Sequence, residues 1–208
     1  MDATGCTMKP AGFPAGKTLL AMAVCAFSSA LSVPPLRSLI EQSMLWHMVV
    51  QIPLLVLGGW MAMDAASGSK LTIRLAPWNR YGLTGFMAAQ AIATYWMLPV
   101  TIDRAVVMPA TDVLKIGTLF ACGALLRHSI ARAPLVLQLF FVGYAVSMTV
   151  SLGLYFGTVD LRLCNAYSLE SQHRAGLAIA LLGCVLGGAW LVMHRREVLA
   201  GTRRPVDA

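Results

Sequence analysis

The chain has 208 residues, of which 58% are hydrophobic and 12% charged, and its mean hydropathy is +0.70. A soluble domain carries about 45–50% apolar and about 25% charged residues, so these values exclude an ordinary soluble core and predict an all-α, polytopic membrane helix bundle. The net charge of +7 comes from basic residues scattered over short loops without interleaved aromatic platforms, which makes the lipid bilayer the expected partner and nucleic acid not.

About 20 apolar residues span the hydrocarbon of a bilayer. Six such segments are predicted, at 18–33, 44–63, 82–102, 111–126, 135–156 and 175–193, so about six transmembrane helices are expected. They divide the chain into a cytoplasmic N-terminal segment (1–17), the helix bundle (18–193) and a basic cytoplasmic tail (194–208).

The first segment, with Lys17 ahead of an apolar run and small residues, also reads as a secretory signal. Pro34 and Pro35 end it in either case. The fourth is the shortest uncharged stretch, bounded by Lys115 and by Arg127 and His128.

Six spans place Lys9, Lys17, Lys70, Arg74, Arg80, Arg127, Arg132, Arg195, Arg196, Arg203 and Arg204 on one side. Only Arg37, Arg104, Lys115, Arg162 and Arg174 fall on the other. The excess of positive charge marks the cytoplasmic side, which puts both termini in the cytoplasm. Glu41, Asp103, Asp112, Asp160 and Glu170 balance the outer bases, as in a polar cap of paired side chains or an entrance for a cation.

The second segment carries the most chemistry. At about 100° per residue, Glu41, Met44, His47, Met48 and Gln51 fall within roughly 120° of one helix face. Two thioethers and an imidazole form a soft-metal ligand set, and polar groups at that depth mark a buried interior or a working site. Pro53 is expected to kink this helix one turn beyond Met48. Ordinary helix contact, with His47 hydrogen-bonded to a neighbour, is the competing reading.

Of the five cysteines, Cys6 is expected in the cytoplasm, Cys25, Cys122 and Cys184 within helices, and Cys164 outside, so no intrachain disulfide is predicted. Cys164 and His173, in the last outer loop and just beyond it, are candidate ligands at the mouth; paired with His47, His173 would also suit haem. Gly183 and Gly187, and the series Gly143, Ser147, Ser151, are expected to let helices approach closely. No GxSxG, HExxH, Walker or dinucleotide-binding motif is present, and an enzyme is not expected.

Three stretches resemble the CtaG-like cytochrome c oxidase assembly proteins. Met44-Leu45-Trp46-His47-Met48, running into Pro53-Leu54-Leu55-Val56-Leu57-Gly58, resembles that family's histidine-bearing segment. Trp96-Met97-Leu98-Pro99 with Asp103 resembles its tryptophan–histidine–x–proline segment, and Ser171-Gln172 with Gly176 its last helix.

Met97 stands where the family has histidine, and Ser171 where it has aspartate. The histidine pair of the fourth helix is absent, with Asp112 and Lys115 in that neighbourhood. The resemblance implies a bacterial inner-membrane factor that handles Cu(I) on the periplasmic side for maturation of a haem-copper respiratory oxidase. The implied partners are an oxidase subunit or a periplasmic copper chaperone, and a homo-oligomer stays open.

The ligand set expected on this basis is His47, Met44 and Met48 with Met97, Cys164 and His173, and Met108 as a further donor. Two other classes remain: a scaffold or accessory subunit of a respiratory complex that binds no metal, and an ion transporter using Asp112 and Lys115.

Overall fold

The structure is a computed structural model and describes residues 15–30, 33, 36, 40 and 42–202. Glu41, Cys6, Pro34, Pro35, Arg37, Lys9, Arg203 and Arg204, all used above, lie outside the described residues. Every regular element among the described residues is helical: α1 (Ala15–Ala30), a π-helical stretch (Trp46–Gln51) leading directly into α2 (Ile52–Ala65), α3 (Lys70–Leu75), α4 (Leu83–Trp96), α5 (Pro99–Val107), α6 (Pro109–Ile130), α7 (Leu135–Thr158) and α8 (Leu169–Thr202).

Among the described residues, four helices are long and apolar enough to cross a membrane: Trp46–Ala65, Pro109–Ile130, Leu135–Thr158 and Leu169–Leu199. They correspond to the second, fourth, fifth and sixth predicted segments. The third, expected as one helix over 82–102, is instead broken, and α4 and α5 meet at 72°. Counted as one span, this pair brings the total to five. The first segment yields a shorter apolar helix, Leu19–Ser28 within α1.

The break has a local cause. Pro99 has no N–H to continue α4 and pushes Leu98 into extended backbone (φ −74°, ψ 129°), so a new helix begins with proline in its first turn. Pro109 repeats the device, starting α6 after an extended Met108.

The fourth segment is longer than its charge pattern suggests. Lys115, one turn inside α6, is ion-paired with Asp112 at 2.7 Å and does not have to reach an aqueous interface.

Close backbone contact organises the bundle. A side chain at Gly59 would collide with the Phe120 carbonyl, and one at Gly123 with that of Val56, so α2 and α6 touch backbone to backbone. Arg127 Nε donates to Asp64 Oδ1 at 2.7 Å where these two helices end. Gly59–Phe120, Trp60–Gly123 and Asp64–Arg127 follow one another in the same order along both helices, so α2 and α6 are parallel.

α4 lies antiparallel to α6, with Trp96 Nε1 donating to Thr118 Oγ1 at 2.8 Å and Cys122 Sγ donating to the Ala89 carbonyl at 3.4 Å. α1 rests on α2, where the Cys25 thiol donates to the Gly58 carbonyl at 3.3 Å.

α7 and α8 form an antiparallel hairpin. Gly153 lies against Ala180 and Gly176 against Gly157, while Gly183 and Gly187 receive Val150 and Val146. The predicted Gly183/Gly187 contact is therefore used within the chain. The Gly143, Ser147, Ser151 series behaves differently. All three are exposed, and a Cβ at Gly143 would meet nothing within 4 Å; the α8-facing side of α7 is formed by Val146, Val150, Gly153 and Gly157 instead.

Candidate functional site

Met44, His47, Met48 and Gln51 are all buried, with His47 at 0% exposure. The i, i+3, i+4, i+7 spacing thus selects one inward face, as the periodicity predicts. Its backbone is not the expected one. Trp46–Gln51 is π-helical, and the Ile52 N–H bonds to the His47 carbonyl five residues back. Pro53, in the first turn of α2, cannot donate, so the change of register falls where an α-helical bond would have been lost. Single π turns inside helices recur at functional sites.

Met44 and Met48 pack in one buried cluster with Cys164, Tyr167, Ile102, Phe156, Ala175 and Ile179. The His47 and Tyr167 ring centroids are 6.3 Å apart. Three sulfur side chains from two distant parts of the chain therefore share one buried cluster, and Tyr167 of that cluster lies near the imidazole.

The loop between α7 and α8 carries Cys164 and closes this end of the bundle. Gln172, buried in the first turn of α8, accepts from the Leu163 N–H at 2.8 Å and donates to the Leu161 carbonyl at 3.0 Å. Asp103 on α5 accepts from the Asn165 N–H (2.9 Å) and the Ala166 N–H (3.3 Å). The Met44 N–H donates to Ser171 Oγ at 3.0 Å, which ties the loop's far end to the start of the π-helical stretch. Burial first, and then the negative charge of Asp103, pushes the Cys164 thiol up to about 12, so this sulfur is a protonated thiol at neutral pH.

The polar side chains form a layer. The parallel register of α2 and α6, carried back from Asp64–Arg127 through the shared cluster of Leu55 and Leu119, sets His47–Gln51 level with the first turns of α6. There Asp112 and Lys115 sit, both buried. One turn further along, Leu55, Trp96, Ala105 and Leu119 make an apolar floor. Together these elements surround the buried cluster, with polar and sulfur side chains at one level, the loop over them and an apolar layer on the far side.

Not every predicted donor joins it. Met97 caps the broken end of α4, half-buried and outside the sulfur cluster. Met108 is exposed between α5 and α6. His173 turns to the loop, with Nε2 3.0 Å from the Val159 carbonyl and 3.9 Å from Asp160. Among the described residues, no group of three or more His, Cys, Asp or Glu side chains is placed to hold a metal ion, so a metal site here depends on thioether sulfur.

Sequence reasoning missed the part played by two positions. Tyr167 lacked any signal beyond standing near Cys164. Gln172, flanked by Ser171 and His173, was marked by the resemblance of the last helix, without its tether to the loop being legible.

No family model matches the chain, and no curated protein or solved structure does either. The fold therefore defines the class alone: a protein whose described residues are all-helical, with four helices, five with the bent pair, long and apolar enough to cross a membrane.

Proposed function

We propose that the chain is a non-enzymatic, multi-pass protein of the bacterial inner membrane that holds Cu(I) beneath the loop between α7 and α8 and passes it on during maturation of a haem-copper oxidase. In this reading it is a divergent CtaG-like protein in which α1 and the bent α4–α5 pair complete six spans, both termini are cytoplasmic, and the loop faces the periplasm. The observation that carries it is the meeting of Met44, Met48 and Cys164 in one buried cluster whose Tyr167 lies near the His47 ring. Thioether and thiol sulfur with imidazole suit a soft monovalent cation. Cation binding would displace the Cys164 proton, so affinity rises with pH.

The test is Cu(I) stoichiometry on detergent-purified protein, measured with a competing chromophoric chelator. About one equivalent is expected for the wild-type chain, with loss in His47→Ala, Cys164→Ser and the Met44→Leu/Met48→Leu double variant. Equal and negligible copper in all four proteins overturns the reading.

One observation favours a second reading, a scaffold for partner helices in a respiratory complex: Gly143, Ser147 and Ser151 point away from α8 and lie exposed along α7. Small residues on an exposed helix face allow another helix close approach. Co-purification with oxidase subunits that is lost in Gly143→Leu/Ser147→Leu, at unchanged copper content, would select it.

A further inference from the structure

The loop over the sulfur cluster is held in two different ways. Its inner anchors are close in sequence: the buried Gln172 side chain bonds to Leu161 and Leu163, and the half-buried His173 ring lies 3.0 Å from the Val159 carbonyl. Its outer anchor is the Asp103 carboxylate, which reaches over from α5 and takes the Asn165 and Ala166 N–H groups, one on each oxygen, in solvent-exposed bonds. Arg162 stiffens the same turn, donating to the Asn165 and Tyr167 carbonyls at 3.0 and 3.2 Å. Cys164 sits between the two kinds of anchor and points into the sulfur cluster.

We propose that the turn 162–167 is a strap, latched by Asp103, whose release swings Cys164 out of the Met44–Met48 cluster and uncovers that cluster, while Gln172 keeps the strap tethered. Bonds exposed to water separate at small net cost, because solvent replaces them, whereas the buried Gln172 side chain has less access to such a substitute. Opening therefore begins at the Asp103 side. The motion withdraws one sulfur and uncovers the other two, which is the movement a site needs if its cargo is to be handed on. In that sense it regulates the soft-cation site, but the strap itself is independent of any metal.

The test is alkylation of Cys164 by a charged maleimide on metal-free, full-length protein in detergent micelles, read by peptide mass spectrometry. Cys6, Cys25 and Cys184 are replaced by serine, and Cys122, buried between α4 and α6, stays as an internal reference. Because the Asp103 charge also disfavours the thiolate, Asp103→Asn, which removes the charge and keeps one acceptor, is compared with Asp103→Ala, which removes both.

The latch predicts that Cys164 labels at least about tenfold faster in Asp103→Ala than in Asp103→Asn, the effect of roughly one charge-assisted bond, with Cys122 silent. Equal rates in the two variants mean that charge alone acts, and overturn it. Parallel acceleration of Cys122 means that the bundle has loosened, and overturns it too. A faster Cys164 in a chain that binds no copper would keep the strap and discard the cargo; copper binding without the rate difference would do the reverse.

Discussion

Asp112 and Lys115, three residues apart on α6, hold their charges 2.7 Å from each other with neither side chain more than 5% exposed. An ammonium at that depth in an apolar bundle depends on its carboxylate, because removing one partner leaves the other as an uncompensated buried charge.

Lys115→Met and Asp112→Asn should each lower stability by about 3–5 kcal/mol. The double variant Asp112→Leu/Lys115→Met should recover part of that loss, since the two effects share one interaction. Denaturant titration in mixed micelles, followed by tryptophan fluorescence, measures both.

Gly59 and Gly117 should respond in opposite directions. A side chain at Gly59 runs into the Phe120 carbonyl, so Gly59→Val should separate α2 from α6 and destabilise by at least about 1–3 kcal/mol. A Cβ at Gly117 meets nothing within 4 Å, and Gly117→Ala should gain about 0.5–1 kcal/mol from helix propensity. Thermal melts of the two purified variants give the signs.

Gln172→Leu deletes both bonds of the inner tether and leaves the Leu163 N–H and Leu161 carbonyl to find other partners. Both bonds are only partly buried, so a total loss of about 1–3 kcal/mol is expected. Hydrogen exchange over residues 161–167 should accelerate, with the core of α6 unchanged.

Cys164 should make stability fall at alkaline pH. Its thiol stands at about 12 in the folded chain against 9.0 for the free group. The unfolded chain therefore loses its proton first as pH rises, and folding weakens between about pH 9 and 12. Cys164→Ser should flatten that part of the stability–pH curve, and alkylation of the wild-type thiol should still be gaining speed above pH 10.

The inward face of the second segment was legible because helical spacing survives the packing: Met44, His47, Met48 and Gln51 are where the period puts them. The π-helical stretch beneath them was not, since it reflects a competition for backbone bonds around Pro53 that side-chain pattern does not encode. Pro99 did announce the break between α4 and α5, but the apolar run through Ile102 outweighed it in a reading based on hydrophobic length.

The small-residue series on α7 does not meet α8. Spacing tells which residues share a face, not which neighbour that face meets, and α8 packs against the valine and glycine side instead. Cys164 and His173, nine positions apart, looked equivalent as donors. The hydrogen bonds of the loop turn one inward to sulfur and the other to the Val159 carbonyl.

The layer of Leu55, Trp96, Ala105 and Leu119 closes the far side of the sulfur cluster with packed apolar side chains. On the proposed reading a cation would enter and leave from the loop side alone, in exchange at one face and not in passage between compartments. The departure rate should then climb with the concentration of the molecule that collects it, and a voltage across the lipid should leave it almost untouched.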